Sequence, residues 1–410
     1  MDSQKHKEIE IYPLRDLSYD FLGMHFENPF ILAAAPSTDN LDMVRRAFEM
    51  GWAGAILKTT SVEGTRVDLA YPMMSTFDHE SRKLFGMGNI DLISEHHIDK
   101  VEHNVKVLKK EFPEKMVAAS IMAGRKEDWQ LLVERLEKAG ADLIECSFSC
   151  PQGNIGEDPG KMLAQSVSAT ELTARWVKEA ARKIPVSIKI TPHVTDIVEV
   201  ARAVKRSGCD ALTASNSIQA LMGIDIRSFA PYPSLGGKST YSGMTGPAIK
   251  PITLRTIAEI ARNVDIPILG TGGASTWSDA VEFMAVGASV VEFCTVVMHY
   301  GFRVIDDLKS GMSHYLEVMD FSSPAVLVGK ALPNIVTHDD LQRKQIRSHI
   351  NDKLCIGCDL CYVACRDGGH MAIDQQPNRI PHVDSERCVG CGLCQHVCPV
   401  DNCIELHIIA

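Results

Sequence analysis

Residues 141–154 read ADLIECSFSCPQGN, and a change of character half-way along decides the fold. The first six residues are a short apolar run of strand length. Ser149, Cys150 and Pro151 then lead into a loop with Gly153 and Asn154. Cys150 is thus expected just beyond the carboxyl end of a buried strand, where a barrel of alternating strands and helices keeps its chemistry. A thiol in that place is a nucleophile, a metal ligand, a general acid or inert packing, and this stretch alone does not choose among them.

Working outward, the same strand-then-helix unit recurs eight times. The strands are predicted at 30–36, 54–59, 116–122, 142–148, 185–191, 210–216, 266–270 and 289–294, each an apolar run without strict alternation. Parallel strands buried on both faces read this way. Helical spacing fills 128–139, 169–183, 195–206, 251–263 and 276–286, and Gly140, Gly208 and Gly287 follow helix ends as left-handed stops. Eight units fit an α/β fold of the (β/α)8 barrel type better than an open doubly wound sheet. Residues 12–30 read as an amino-terminal hairpin, with Gly23 at the turn, that plugs the closed end of the barrel. Two long loops, 60–98 and 219–250, leave the catalytic rim, and the glycine-containing loop after Cys150 reads as a lid. The domain reading is 1–320 for the barrel, 321–347 for a linker and 348–410 for a cysteine-rich module.

Composition narrows the function. The 410 residues are 45% hydrophobic with a formal charge of −10, so there is no basic stripe for nucleic acid. The amino terminus lacks a signal-peptide core and no apolar run is long enough to cross a bilayer, so a soluble cytoplasmic protein is expected. Eight of the 13 cysteines lie between Cys355 and Cys398. In a reducing compartment such clustering points to metal or redox chemistry.

That cluster is a tandem repeat. Cys355, Cys358, Cys361 and Cys365 have the C-x2-C-x2-C-x3-C spacing, and Cys388, Cys391, Cys394 and Cys398 repeat it before Pro399; Arg366 stands where the first copy would have proline. In two-cluster ferredoxins three close cysteines hold one [4Fe–4S] cubane and the fourth reaches across to the other. One cluster would use Cys355, Cys358, Cys361 and Cys398, the other Cys388, Cys391, Cys394 and Cys365. Structural zinc takes four ligands, commonly as two separated pairs, which suits this spacing less well.

Clusters that pass single electrons need a partner able to serve a two-electron substrate, and a flavin does both. In the barrel, Gly270-Thr271-Gly272-Gly273 after the seventh strand and Cys294-Thr295 after the eighth lie where barrels build a phosphate site from backbone N–H groups. Ser275 in place of a third glycine argues against a Rossmann fingerprint, so nicotinamide oxidation is placed on another chain. Lys58 and Lys189 end apolar strands; on one rim they would face an anion or a flavin's N1/C2 carbonyl edge.

Taken together, Ser149-Cys150-Pro151, Lys58-Thr59, Lys189, Asn216-Ser217, the YSGMTG run at 241–246, Thr271-Gly272-Gly273 and the ferredoxin-type tail resemble the dihydropyrimidine dehydrogenase family, and the barrel is similar to dihydroorotate dehydrogenases. The likeness covers nearly the whole chain. It implies an FMN barrel that adds hydrogen across the 5,6 double bond of uracil or thymine. By position, Lys58, Thr59, Lys189, Gly243, Gly246, Thr271, Gly272, Gly273, Cys294 and Thr295 would hold FMN. Cys150 would be the general acid, a role that suits a thiol's pKa. Ser147, Phe148, Ser149, Asn216, Ser217 and Arg125 would face the substrate. The resemblance also implies a hetero-oligomer with an FAD-containing, NAD(P)H-oxidising flavoprotein subunit that feeds the two clusters.

Two positions depart from the family pattern. Ser147 stands where an asparagine is typical, three residues before the cysteine, and Ala123-Gly124-Arg125-Lys126 occupies a region with another. Such asparagines match a pyrimidine's alternating N–H and C=O edge. Their loss, with Arg125 able to receive a carboxylate, motivates a different unsaturated or carboxylated substrate as a second reading. A third treats the chain as an electron-transfer subunit with no organic substrate of its own.

Overall fold

A computed structural model describes residues 15–79, 82–149 and 162–409. The chain divides into two compact units, Met1–Asn334 and Ile335–Ala410.

The first unit is a closed eight-stranded barrel: β1 Phe30–Leu32, β2 Gly54–Thr60, β3 Met116–Ile121, β4 Leu143–Ser147, β5 Val186–Lys189, β6 Ala211–Ala214, β7 Ile268–Thr271 and β8 Val290–Phe293. Each strand pairs in parallel with the next, and β8 returns to β1 with Val291 opposite Phe30. The outward-facing side chains, such as Leu57, Ile144, Ile188, Leu212 and Phe293, pack into one large core that includes the surrounding helices. Their inward neighbours Ile31, Ile56, Ala118, Leu143, Ala211, Leu269 and Val290 form a separate apolar cluster inside the barrel. Seven of the eight strands are therefore apolar on both faces at this level, which is why they show no strict alternation in sequence; β5 instead turns Ser187 inward.

The amino-terminal hairpin, Tyr19–Phe21 against Met24–Phe26, closes the inner cluster from below. Phe21 and Phe26 pack on it, and the Tyr19 hydroxyl donates to the Ser289 carbonyl at the start of β8. Helix ends follow local chemistry. Gly140 stops helix Lys126–Ala139 with φ of 91°, and Asp196 caps helix Ile197–Arg206 by accepting from the amides of Val198 and Glu199.

The two long loops are one structure. Segments Met74–His79 and Arg82–Asn89 come from the first, and Ile218–Ala220 and Ser242–Thr245 from the second; they form a four-stranded antiparallel sheet with Gly243 opposite Asn89. The stretch read as a linker also differs from expectation. Leu327 is buried in the barrel's outer core, and the amides of Gly329 and Ala331 donate to the carbonyls of Met284 and Ala285, so residues up to Asn334 belong to the first unit.

In the second unit, Gln345–Ile350 pairs antiparallel with Ile404–Ile409, tying its beginning to its end. Helices Leu360–Gly368 and Leu393–Val397 pack on each other and carry three of the repeat cysteines, Cys361, Cys365 and Cys394.

Candidate active site

One step up from the apolar inner cluster, the barrel interior becomes polar on most strands. Ser120, Glu145 and Ser187 stand side by side in register on β3, β4 and β5. Ser187 bonds Thr213 of β6 at 2.9 Å, and Ser120 bonds Thr59 of β2 at 2.9 Å. Lys189 closes β5 and reaches Glu145 Oε1 at 3.4 Å and Glu292 Oε2 of β8 at 3.5 Å. Both carboxyl groups are fully buried. Burial raises the Glu292 carboxyl to about 8; Lys189 opposes that rise and Glu145 adds to it. Lys58 of β2 pairs with Asp91 at 3.0 Å, again almost wholly buried. A register shift between Leu57 and Thr60 lets two consecutive residues, Lys58 and Thr59, turn toward the same space.

That space is a cavity of about 480 Å³. Lys58, Thr59, Ser147, Ser149, Lys189, Asn216, Ser217, Gly243 and Cys294 all line it, with Asn89, Asp91 and Tyr241 contributed by the two long insertions. Asn216 donates from Nδ2 to Ser149 Oγ at 2.7 Å, leaving the Ser149 hydroxyl hydrogen free to point elsewhere. A smaller compartment shares Lys189, Asn216, Ser217 and Cys294 with this cavity and is completed by Thr271, Gly272, Gly273, Glu292 and Thr295. Its floor needs glycine. Gly272 and Gly273 have φ of 113° and 104°, and a Cβ on Gly273 would lie 2.7 Å from the Lys250 amide and 3.0 Å from the Gly246 carbonyl. Gly246 abuts this cradle and Thr295. Burial pushes the Cys294 thiol up to about 11, so it is neutral at physiological pH.

Every residue expected to hold FMN is thus gathered around two joined compartments. Two expected substrate contacts are not. Phe148 is buried against Trp129 with ring centroids 5.5 Å apart, because alternation along the strand turns Ser147 and Ser149 inward and Phe148 out. Arg125 precedes helix Lys126–Ala139, with its side chain 74% exposed and its guanidinium on Asp128. It does not line the cavity. Cys150 lies outside the described residues; its neighbour Ser149 lines the cavity. Sequence reasoning missed Asp91, Asn89, Glu145 and Glu292. For Glu145 and Glu292 a signal existed: a glutamate inside an apolar strand, the same oddity that singled out the two lysines.

In the second unit Cys355, Cys358, Cys361 and Cys398 line one small cavity, with Cys403 beside them. Cys398 belongs to the other repeat and lies in the lining beside this group. Among the described residues no three side chains converge closely enough for a single metal ion. A cubane needs wider spacing, since each thiolate binds a different iron. Around the other group the Ser348 amide donates to Cys388 Sγ at 3.5 Å, Ser348 Oγ lies 3.1 Å from Cys394 Sγ, and the Ala372 amide donates to Cys365 Sγ at 3.3 Å. Such contacts tune a cluster's potential.

Comparison with known proteins agrees with this geometry. Residues 16–316 match the dihydroorotate dehydrogenase family model, and residues 348–406 match a 4Fe-4S dicluster domain. The chain belongs to the dihydroorotate dehydrogenase family. Among its relatives, the NAD-dependent dihydropyrimidine dehydrogenase subunit PreA of Escherichia coli (strain K12) is 40% identical over 403 residues, 96% of this chain and 95% of that protein. The chloroplastic dihydropyrimidine dehydrogenase (NADP(+)) of Arabidopsis thaliana is 33% identical over 342 residues, 80% of each chain. The catalytic subunit of dihydroorotate dehydrogenase B (NAD(+)) from Thermococcus kodakarensis (strain ATCC BAA-918 / JCM 12380 / KOD1) is 32% identical over 328 residues, 77% of this chain and 98% of that protein. The chain is an oxidoreductase, with FMN as the family's barrel cofactor and two iron–sulfur clusters in the tail; the glycine cradle, the paired lysines and the cysteine groups fit both. Among the described residues no helix is long and apolar enough to cross a membrane.

Proposed function

We propose that this chain is the catalytic subunit of a dihydropyrimidine dehydrogenase: it reduces the 5,6 double bond of uracil or thymine with electrons that enter through its two [4Fe–4S] clusters from an FAD-containing, NAD(P)H-oxidising subunit. The observation that carries this reading is the junction of the two compartments. The glycine cradle of β7 and the lysine-lined cavity meet at Lys189, Asn216, Ser217 and Cys294, and Asn216 bonds Ser149, the residue before Cys150.

FMN held by these residues would supply single-electron exchange with the iron–sulfur clusters and hydride for carbon. The chain's own residues do the rest. Gly272 and Gly273 would admit a phosphate against their backbone, and Lys58 and Lys189 would hold positive charge toward the ring. The Asn216 amide and the Ser147, Ser149 and Ser217 hydroxyls offer donors and acceptors to a ring whose edge alternates N–H and C=O. Cys150, following Ser149, donates the proton to C5. A carboxylated substrate loses its motive, because Arg125 is engaged with Asp128 away from the cavity.

The test is anaerobic. The purified chain, reduced with dithionite, is mixed with uracil or thymine while flavin absorbance is followed. Reoxidation by either pyrimidine is expected, and Cys150→Ala should slow it by about 10²–10⁴-fold, the ordinary contribution of a positioned acid, with flavin content unchanged. If neither pyrimidine reoxidises the flavin while another unsaturated ring does, the substrate assignment is wrong.

A further inference from the structure

Three ionisable groups meet inside the barrel where only two can be charged without leaving a surplus. Lys189 lies 3.4 Å from Glu145 Oε1 and 3.5 Å from Glu292 Oε2, and the two carboxyl groups are within hydrogen-bonding reach of each other. Their remaining oxygens, Glu145 Oε2 and Glu292 Oε1, meet no donor among the described residues. Among the described residues the surrounding strands supply no further charge to balance them. On either side of Glu292, β7 offers Thr271 and β1 offers Ile31. Ser120 of β3 and Thr213 of β6 are already bonded to Thr59 and Ser187. The Cys294 thiol is neutral, and at the mouth Lys58 is matched by Asp91. With both glutamates ionised, one negative charge would be left dry, at a cost of several kcal/mol. One proton shared by the two carboxyl groups removes that charge.

We propose that Glu145 and Glu292 share one proton beneath Lys189, and that this pair acts through Lys189 as a positioning device that binds its proton more tightly when the neighbouring flavin is reduced. The proposal rests on FMN occupying the joined compartments. Glu292 and Lys189 line the compartment that carries the glycine cradle, so negative charge arriving there is felt by the pair at short range. With the proton in place the triad is neutral and the ammonium of Lys189 keeps its attraction for the cofactor. With the proton lost, the triad carries one negative charge and disfavours electrons beside it. Reduction is therefore linked to uptake of one solvent proton across the pH range between the pair's two ionisations, the lower with oxidised and the higher with reduced flavin.

The experiment uses the full-length, FMN-loaded chain. Flavin midpoint potential is measured by anaerobic dye-coupled titration from about pH 6 to about pH 10, in wild type, Glu292→Gln and Glu145→Gln. Across the linked range wild type should show an extra tenfold change per pH unit in the oxidised-to-reduced ratio, about 30 mV per unit for a two-electron couple. Either glutamine variant should lose that extra slope. Infrared difference spectra of wild type alone should show a deuterium-sensitive carboxylic acid band, shifted by 13C-glutamate labelling, that changes on flavin reduction. Equal slopes in all three chains overturn the redox linkage. A wild-type chain, with or without flavin, that lacks the acid band at about pH 6 overturns the shared proton itself. A chain that shows the acid band but binds no FMN overturns the functional reading and the linkage with it, while upholding the proton sharing.

Discussion

Two layers inside the barrel, one step apart on the same strands, are built by opposite rules. In the lower layer Ile31, Ile56, Ala118, Leu143, Ala211, Leu269 and Val290 close on Phe21 and Phe26 with no polar side chain among them. In the upper layer Lys58, Glu145, Lys189 and Glu292 are as deeply buried. The lower layer gains roughly 25 cal/mol for each Å² of apolar surface it removes from water, whatever the order of its side chains. The upper layer is held only by pairing, because each unpaired buried ion costs several kcal/mol. Stability is thus concentrated at one end of the barrel, which lets the other end tolerate charges that only chemistry requires.

The comparison can be broken most forcefully at Lys189. Lys189→Met should destabilise the barrel by about 3–5 kcal/mol at neutral pH, since it strands the pair's remaining buried negative charge, and stability should recover on acidification as that charge is neutralised. Urea unfolding across pH measures this, and a variant as stable as wild type at neutral pH would show that the upper layer is not held by pairing. Leu143→Ala, in the lower layer, should cost about 2–4 kcal/mol with no such pH dependence and with flavin affinity unchanged. A loss of flavin would mean that the two layers are not separable.

Glu292→Gln sharpens the contrast with a smaller change at any single pH. The folded chain holds the Glu292 proton more tightly than the unfolded chain does, up to about 8 against an ordinary 4.5. The stabilisation it contributes is complete below the unfolded value and is lost as pH rises toward the folded one. Wild type should therefore lose urea resistance between about pH 5 and about pH 8, and the glutamine variant should lack that part of the decline. The smallest effect lies in neither layer. Asp196→Ala removes the cap of helix Ile197–Arg206 and should cost about 1 kcal/mol, leaving flavin potential and uracil turnover alone.

Much of this was legible in the residues. Eight strand-and-helix units, the glycine stops, the cradle at Gly272-Gly273 and the doubled cysteine spacing are local patterns, and local patterns survive being read one window at a time. The two departures at the site show the limit. Arg125 looked like a carboxylate receiver by its place after β3, but it precedes a helix whose Asp128 lies three residues on and draws the guanidinium to the surface. Phe148 sits between two cavity-lining serines and faces the opposite way.

The chain's order of residues suffices for the barrel, the cluster ligands' spacing and the neighbourhood of the cofactor, because each depends on contacts within a turn, a strand or a short repeat. Only folding brings Asp91 to Lys58, joins two distant insertions into one sheet and sets Glu145 and Glu292 on either side of Lys189. The reason is that a parallel strand buried on both faces is apolar on both, so its sequence does not say which side looks into the barrel. Closure of the eight strands makes that choice, and with it decides which charges must share a proton.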